Sequence, residues 1–460
     1  MSNFKKLMLG AAVGIPDQTY WLVVNTNTDF YSGGNGITSD NDQNVYTSGI
    51  WYDPLITGGT QAFVESYDLD GNYRWSKGFG GTLNDSFNSI VSDGTDIYFH
   101  GYLRGGLPSA GTNNENGVIK INASGASQWQ KIFGANAGNG NSLTSASTNG
   151  KSNIIAGGNQ YTVQTHGSSN AIFVTKYNTS GTQQFKYKIT GNYDVTAQAI
   201  QVDSSGNMYI CGRIKDTSAG TNYNGYIVKT NSSGVVQWTH MHGGTGFDVV
   251  EDILISGSDL YASGRTDSGN VCRVMKLSTS NGSVTWQKKM YASSNLTIGH
   301  SLQMDSTGAL YVLCYEANYK SVLIKLDSSN GNTTWARRFR DGHPDQLRKS
   351  LHRLAFDKYD NMIISGSSLS YSSTWSQHKG GLICKLPNDG TGTGTYTFPS
   401  PFWAIITYES VSLTNTTLGA DVSSTSVSWS TTTPSITERT PNLTFRNTGL
   451  TRSIQTVTAG

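Results

Sequence analysis

Residues able to do chemistry are sparse along this chain of 460 residues, and those present lack the spacing that chemistry requires. His240 and His242 alternate along an extended run and so share a face, yet no Cys or carboxylate stands beside them at ligand spacing. Asp68, Asp70, Gly71 and Asn72 resemble the opening of a calcium loop, as do Asp327 to Asn332. Neither run reaches the bidentate Glu that completes such a loop, and turn chemistry explains both. Gly390, Gly392 and Gly394 form a G-x-G-x-G run with no helix after it, so no phosphate cradle is expected there, only an exit from the preceding fold. Asp248, Glu251 and Asp252 lie close together, but no Ser–His–Asp or Cys–His constellation accompanies them. The sequence assigns no catalytic residue, no metal and no cofactor.

One charge cluster stands out. Arg337, Arg338, Arg340, Arg348, Lys349 and Arg353 fall within 17 residues, mixed with two Asp and two His. Two readings are open: an anionic partner, or a solvated loop with local ion pairs. The chain as a whole carries only +2, which gives no bias toward nucleic acid or an anionic membrane. Charged residues make up 14%, well below the ~25% of typical soluble domains. Ser, Thr and Asn stand where Lys and Glu usually would, a surface suited to an extracellular or particle-bound β protein. Cys211, Cys272, Cys314 and Cys384 are single, without C-x-x-C spacing, and read as buried free thiols. No apolar run approaches the ~18 residues of a membrane span. The opening MSNFKKLMLGAAVG reads as a docking or flexible arm rather than a cleaved signal.

What must position any site is a repeat. Trp21, Trp75, Trp129, Phe185, Trp238, Trp286 and Trp335 lie 54, 54, 56, 53, 48 and 49 residues apart. A second series keeps step: Tyr46, Tyr98, Ile155, Tyr209, Tyr261, Tyr311 and Ile363. Three residues on comes Gly49, Gly101, Gly158, Gly212, Gly264 or Gly366, with Cys314 the exception. A third series is Tyr67, Lys120, Lys176, Lys229, Lys276, Lys325 and Lys385, whose ammonium groups are expected to reach water. Each unit reads as four short strands bounded by Gly, Asn, Asp or Ser. Four antiparallel strands repeated seven times predict an all-β fold, a seven-bladed β-propeller over 18–390, flanked by an N-terminal arm (1–17) and a C-terminal segment (391–460). The chain enters on a fourth strand around Trp21 and finishes its last repeat on a third strand at Leu382 to Leu386. Pairing these two runs completes the last blade; Thr393 to Phe398 is the competing candidate. Each Trp, on the outermost strand, is expected to pack over the neighbouring blade.

The stretches YDLDGNYRW, KTNSSGVVQW, KLDSSNGNTTW, SSGNMYICG and GSDLYASG resemble the glycine- and tryptophan-containing repeats of seven-bladed β-propeller families. Such motifs specify architecture and leave the ligand open. Connections after the first and third strands are short and share one rim; those after the second and fourth are long, varied and on the other. Recognition is expected on the long-loop rim, where Trp51, Tyr52, Arg104, Tyr161, Tyr223, Tyr371 and Trp375 recur.

From 411 to 460 the chain has 22 Ser or Thr and five charged residues, too little apolar content for a core of its own. It is expected to order against the propeller, another copy or a larger assembly, with Phe402, Trp403, Trp429 and Phe445 as the assembly segment. This tail, the ending VTAG and the opening MSNFKKLMLGAA resemble virion structural proteins of tailed bacteriophages. That resemblance implies a non-enzymatic particle component, present in multiple copies, attached to other virion proteins through its termini. Its loop rim would meet a host-surface glycan or protein. A purely architectural subunit and a secreted propeller enzyme acting on polysaccharide are the alternatives. The location implied is the virion, otherwise extracellular.

Overall fold

The computed structural model describes residues 19–26, 32–52, 60–79, 85–104, 114–134, 153–156, 159–165, 171–190, 195–215, 223–243, 246–266, 271–291, 296–316, 320–341, 349–371, 377–398, 404–417, 430–432, 437–439 and 451–457. The Trp375, Phe402, Trp403, Trp429, Phe445 and Arg348 expectations fall outside them. The fold is an all-β propeller. Its strands form seven separate antiparallel sheets, numbered here 1 to 7 in chain order. The first strands are Ser32–Ser39, Ser86–Ser92, Asn153–Ala156, Val195–Val202, Val249–Ser256, Leu296–Met304 and Lys349–Phe356. Each first strand touches the next, and the last touches the first, so they encircle a common axis.

Sheet 7 draws its fourth strand from the start of the chain. Tyr20–Thr26 pairs antiparallel with Gln377–Leu386, Trp21 opposite Lys385 and Leu22 opposite Cys384. The competing run, Gly394–Phe398, lies instead in sheet 6.

The tryptophan series forms latches between sheets. Five of the six indole N–H groups, all but that of Trp335, donate to a backbone carbonyl in the hairpin joining the third and fourth strands of the following sheet. The pairs are Trp21 to Leu69 (3.1 Å), Trp75 to Ala123 (3.0 Å), Trp129 to Thr179 (3.0 Å), Trp238 to Thr279 (3.1 Å) and Trp286 to Ser328 (3.2 Å). The rings lie against turn glycines held at positive φ, such as Gly282 (φ 73°), where a Cβ would come within 2.8 Å of Trp238. The ring therefore needs a glycine in the partner turn for both its conformation and its missing side chain. In sheet 3 the task shifts by two residues: Tyr187, stacked on Phe185 at 4.4 Å, packs on Gly234.

Three sequence expectations change. The lysine ammonium groups turn inward rather than to water: Lys120 pairs with Asp96 (2.8 Å), Lys325 with Asp305 (3.3 Å), and Lys385 with Asp357 (3.2 Å) in full burial. The short first hairpin supplies a carboxylate there, and the tyrosine face takes the cation, as with Lys120 at 5.2 Å from the Tyr98 ring centre. In sheet 1 the register position belongs to Ser66, opposite Trp75 and Tyr46, not to Tyr67. In sheet 3 the position opposite Lys176 is Tyr161, not Ile155. Ile155 lies in the first strand, whose Ala156 pairs with Asn159 of the second.

The C-terminal segment adds strands to the outer edges. Ala404–Ser410 pairs with the fourth strand of sheet 6, and Thr414–Thr417 with that of sheet 5. Ser430–Thr432 follows on sheet 3, Thr437–Arg439 on sheet 2, and Thr451–Val457 on sheet 7 against Tyr20–Thr26. The segment thus runs around the ring as a belt, against the order of the sheets. Its Ile406 and Tyr408 are buried, Tyr408 lying 4.6 Å from the Phe339 ring, at about 1.5–3 kcal/mol for each such side chain. A tail too polar to build a core borrows one.

Candidate functional site

The first strands share a device that the repeat series do not announce. In six sheets the ladder between first and second strand skips a residue at a matching position: Asn35, Asn88, Gln198, Glu251, His300 and His352, with sheet 6 skipping Thr297 as well. Each is a β-bulge, in which an extra residue leaves the pairing and the strand kinks. All six lie at or before the middle of their strand, whose start is the end facing the long connections. All six are polar. A repeated polar bulge on every innermost strand but that of sheet 3 forms a ring around the axis at one depth.

The glycine series is the other half of the device. Gly49, Gly101, Gly212, Gly264 and Gly366 stand opposite the residue just before the bulge. A Cβ at Gly101 would lie 2.0 Å from the Ser86 carbonyl oxygen, at Gly212 1.8 Å from that of Thr196, and at Gly264 2.0 Å from that of Val249. The bulged strand presses its backbone onto the second strand, and only glycine leaves room. Cys314 breaks the series, and the structure explains it: the residue opposite is Gly299, so the glycine has crossed the ladder. Cys314 itself is buried, its Sγ 3.2 Å from that of Cys272 on sheet 5, both free thiols.

Bulging also releases backbone groups from the ladder, and neighbouring sheets satisfy them. Asn35 donates to the Phe87 carbonyl (3.3 Å), Ser263 to that of Gly299 (3.3 Å) and Arg353 to that of His300 (3.3 Å). Asp252 accepts from the Leu302 N–H at 2.9 Å. The ring is thereby cross-braced from sheet to sheet.

Charge gathers on one side of the axis. Burial lowers the Arg353 pKa, while Asp252 and Glu251 push it back up. Arg353 belongs to sheet 7 and the two acids to sheet 5, so their fields meet across the hub past sheet 6. His300 on sheet 6 and His352 on sheet 7 have ring centres 6.4 Å apart. Nearer the loop rim Tyr223 and Phe247 pack at 5.1 Å, with Arg213 over both (4.9 and 5.0 Å) and Arg265 over Phe247 at 4.0 Å. Burial is the main influence lowering the Arg265 pKa; Glu251 opposes it. The sequence places Asp248, Glu251 and Asp252 close together but does not reveal the arginines and imidazoles near them. A usable signal exists: each bulge reads as a polar residue two before the strand's Ile or Leu, as in Glu251-Asp252-Ile253, His300-Ser301-Leu302 and His352-Arg353-Leu354.

His240 and His242 sit between sheets 4 and 5. His242 Nδ1 is 2.8 Å from a guanidinium nitrogen of buried Arg273, which also donates to Gln287. Burial first, then Arg273, drives both imidazoles far toward the neutral form, His240 to about 4. The acidic loops resembling calcium sites are turns: Asp68 accepts the N–H groups of Asp70 and Asn72 at 2.9 and 2.8 Å.

The remaining expected site residues divide. Trp51, Tyr52, Arg104 and Tyr371 end second strands, and Tyr223 begins a third, all at the long-connection end. Tyr161 does not belong with them: it stands near the opposite end of its strand, Asn159–Thr165. The basic cluster is not one surface. Arg338 holds buried Glu316 with two 2.7 Å bonds, Arg340 meets Glu409 of the belt at 2.9 Å, and Arg337 donates to the Gly390 carbonyl. Lys349 lies in the first strand of sheet 7, and Arg353 faces the hub.

No protein-family model matches the sequence, and no curated protein is similar to it. The solved structures it resembles do so at low identity. A chain of the mitotic checkpoint complex is 10% identical with a TM-score of 0.48, covering 84% of this chain and 99% of that one. A protein from Lactobacillus plantarum is 12% identical with a TM-score of 0.42, covering 69% and 95%. A putative 6-phosphogluconolactonase from Bacteroides uniformis is 12% identical with a TM-score of 0.42, covering 69% and 94%.

Proposed function

We propose that this is a non-enzymatic binding protein of a virion, in which the seven sheets are the blades of one closed, seven-bladed propeller. The face carrying the long connections meets a host-surface glycan or protein. The belt stiffens the ring, and the chain segments outside it attach the propeller to its neighbours in the particle. The observation that carries the reading is the gathering of Trp51, Tyr52, Arg104, Tyr223 and Tyr371 at strand ends on one face. Aromatic rings and arginines beside variable loops, on a rigid scaffold, are the chemistry of recognition. Weak contacts of this kind gain strength when many copies act together.

The test is binding of the purified full-length protein to host cells. Tyr371→Ala combined with Trp375→Ala is expected to abolish binding while leaving the fold intact. Absence of binding by the unaltered protein, with particles failing to assemble when the belt is deleted, would favour an architectural subunit instead. A second reading, a polysaccharide-cleaving enzyme, draws support from Glu251, His300, His352 and Arg353 around the hub. Turnover of a host polysaccharide, lost in Glu251→Gln, would establish it in place of the first.

A further inference from the structure

We infer that the six bulged side chains form a binding ring for a polyhydroxylated ligand, the end of a saccharide chain, entering along the axis from the long-connection face. The inference rests on the proposed host-surface reading and supplies the chemical class of its ligand. Asn35, which already donates once to the Phe87 carbonyl, Asn88, whose Oδ1 already accepts once from Ser86, and Gln198 each keep donor and acceptor capacity in their amide, Glu251 accepts, and His300 and His352 bring imidazoles. Hydroxyl groups are the ligand groups that answer such a mixture, since each donates and accepts at once. A phosphate or sulfate would call for a ring of one sign, whereas here Arg353 is matched by Asp252 and Glu251. An apolar ligand would strand the amides.

A second observation points the same way. Gln198 is 2% exposed, and its Oε1 has no hydrogen-bond partner among the described residues. An unsatisfied buried amide oxygen costs about 1–3 kcal/mol, so a polar group beyond the described residues belongs beside it, and a ligand hydroxyl is one that fits. The frame is also preorganised: glycine-backed bulges and cross-sheet hydrogen bonds fix the ring before any ligand arrives, which lowers the ordering cost of binding. The Tyr223–Phe247 pair, flanked by Arg213 and Arg265, lies toward the rim on the same side.

The experiment is calorimetric titration of the full-length protein with a panel of neutral-hexose and hexuronate-containing oligosaccharides, beside whole-cell binding. The variants are Gln198→Met, which keeps volume, Glu251→Gln, and His352→Ala, a partly buried position, with thermal midpoints recorded as a fold control. At least one oligosaccharide is expected to bind, and each variant to weaken it tenfold or more at an unchanged midpoint. The inference is overturned if no member of the panel binds, or if all variants bind like the unaltered protein. Cell binding that survives every hub variant also overturns it, leaving the rim as the contact. Hub-dependent oligosaccharide binding without cell binding supports the ring and removes the host-surface reading instead.

Discussion

Replacing Gly264 by Ala tests whether the glycine series exists to admit the bulge. The added Cβ would sit 2.0 Å from the Val249 carbonyl oxygen, 3.0 Å from its carbon and 3.1 Å from the Val250 Cα. Ordinary carbon–oxygen contact lies beyond 3 Å, so the first strand of sheet 5 has to retreat by about 1 Å, and every obstructing atom is backbone. That strand is packed against the second and third strands of sheet 4, so retreat disturbs an interface between sheets. Overpacking of a well-filled core costs about 1–3 kcal/mol, and the rigid obstruction sets this case at ~3 or above. If the ring melts as one unit, ~2.1 cal/mol/K per residue over 460 residues converts ~3 kcal/mol into a fall of about 3 °C in melting temperature. Denaturant titration gives a second measure, with the midpoint moving and the slope constant. Gly257→Ala is the control: φ is 59° there and nothing lies within 4 Å, so only the left-handed backbone cost of about 1–2 kcal/mol applies. Equal, small losses at both positions would refute the steric account of the series.

Two further outcomes follow from buried charge. His100 is 3% exposed, and burial lowers its pKa to about 4. Its folded pKa lies below the unfolded value, so its contribution is complete above ~6.5 and is lost as pH falls from there toward 4, by about 3 kcal/mol in all. Thermal midpoints across that range should fall less steeply in His100→Leu; an unchanged pH profile would count against the assignment. Arg338→Met leaves Glu316, fully buried, without its bidentate partner, which costs about 3–5 kcal/mol. Because the Arg338 guanidinium also lies 3.8 Å from the Glu409 carboxylate of the belt, the same variant should speed proteolysis within Gly394–Ser410, and Arg338→Met with Glu316→Leu should restore much of the stability.

The architecture was legible because its determinants are large and regularly spaced. A tryptophan that must reach the next sheet's turn, and a glycine that must admit the preceding strand, tolerate few substitutes, so both leave a visible cadence. Where a substitute does appear, the compensation sits elsewhere: Gly299 across from Cys314, and Tyr187 two residues beyond Phe185. The hub was not legible because its six bulged residues are chemically unlike one another, sharing only polarity and position. Bulges also shift register by one, which hides them from a search at fixed spacing. The lysines misled because a long stem allows either end-point, and only the third dimension shows a carboxylate waiting. The belt could not be placed because Ser/Thr-rich strands pair through their backbone, which carries no sequence label.

Sheet 7 unites segments from far apart along the polypeptide, with Tyr20 opposite Val457. Tethering entropy scales with the logarithm of length, so joining ends more than 400 residues apart costs only about 2 kcal/mol more than closing a single repeat of 54. The burden falls on time rather than on equilibrium. Belt strands aside, the four blade strands of six sheets come from contiguous chain, whereas the seventh waits for its distant fourth strand, which makes ring closure the slow event and the seam at Trp21 the place where an incomplete molecule stays open.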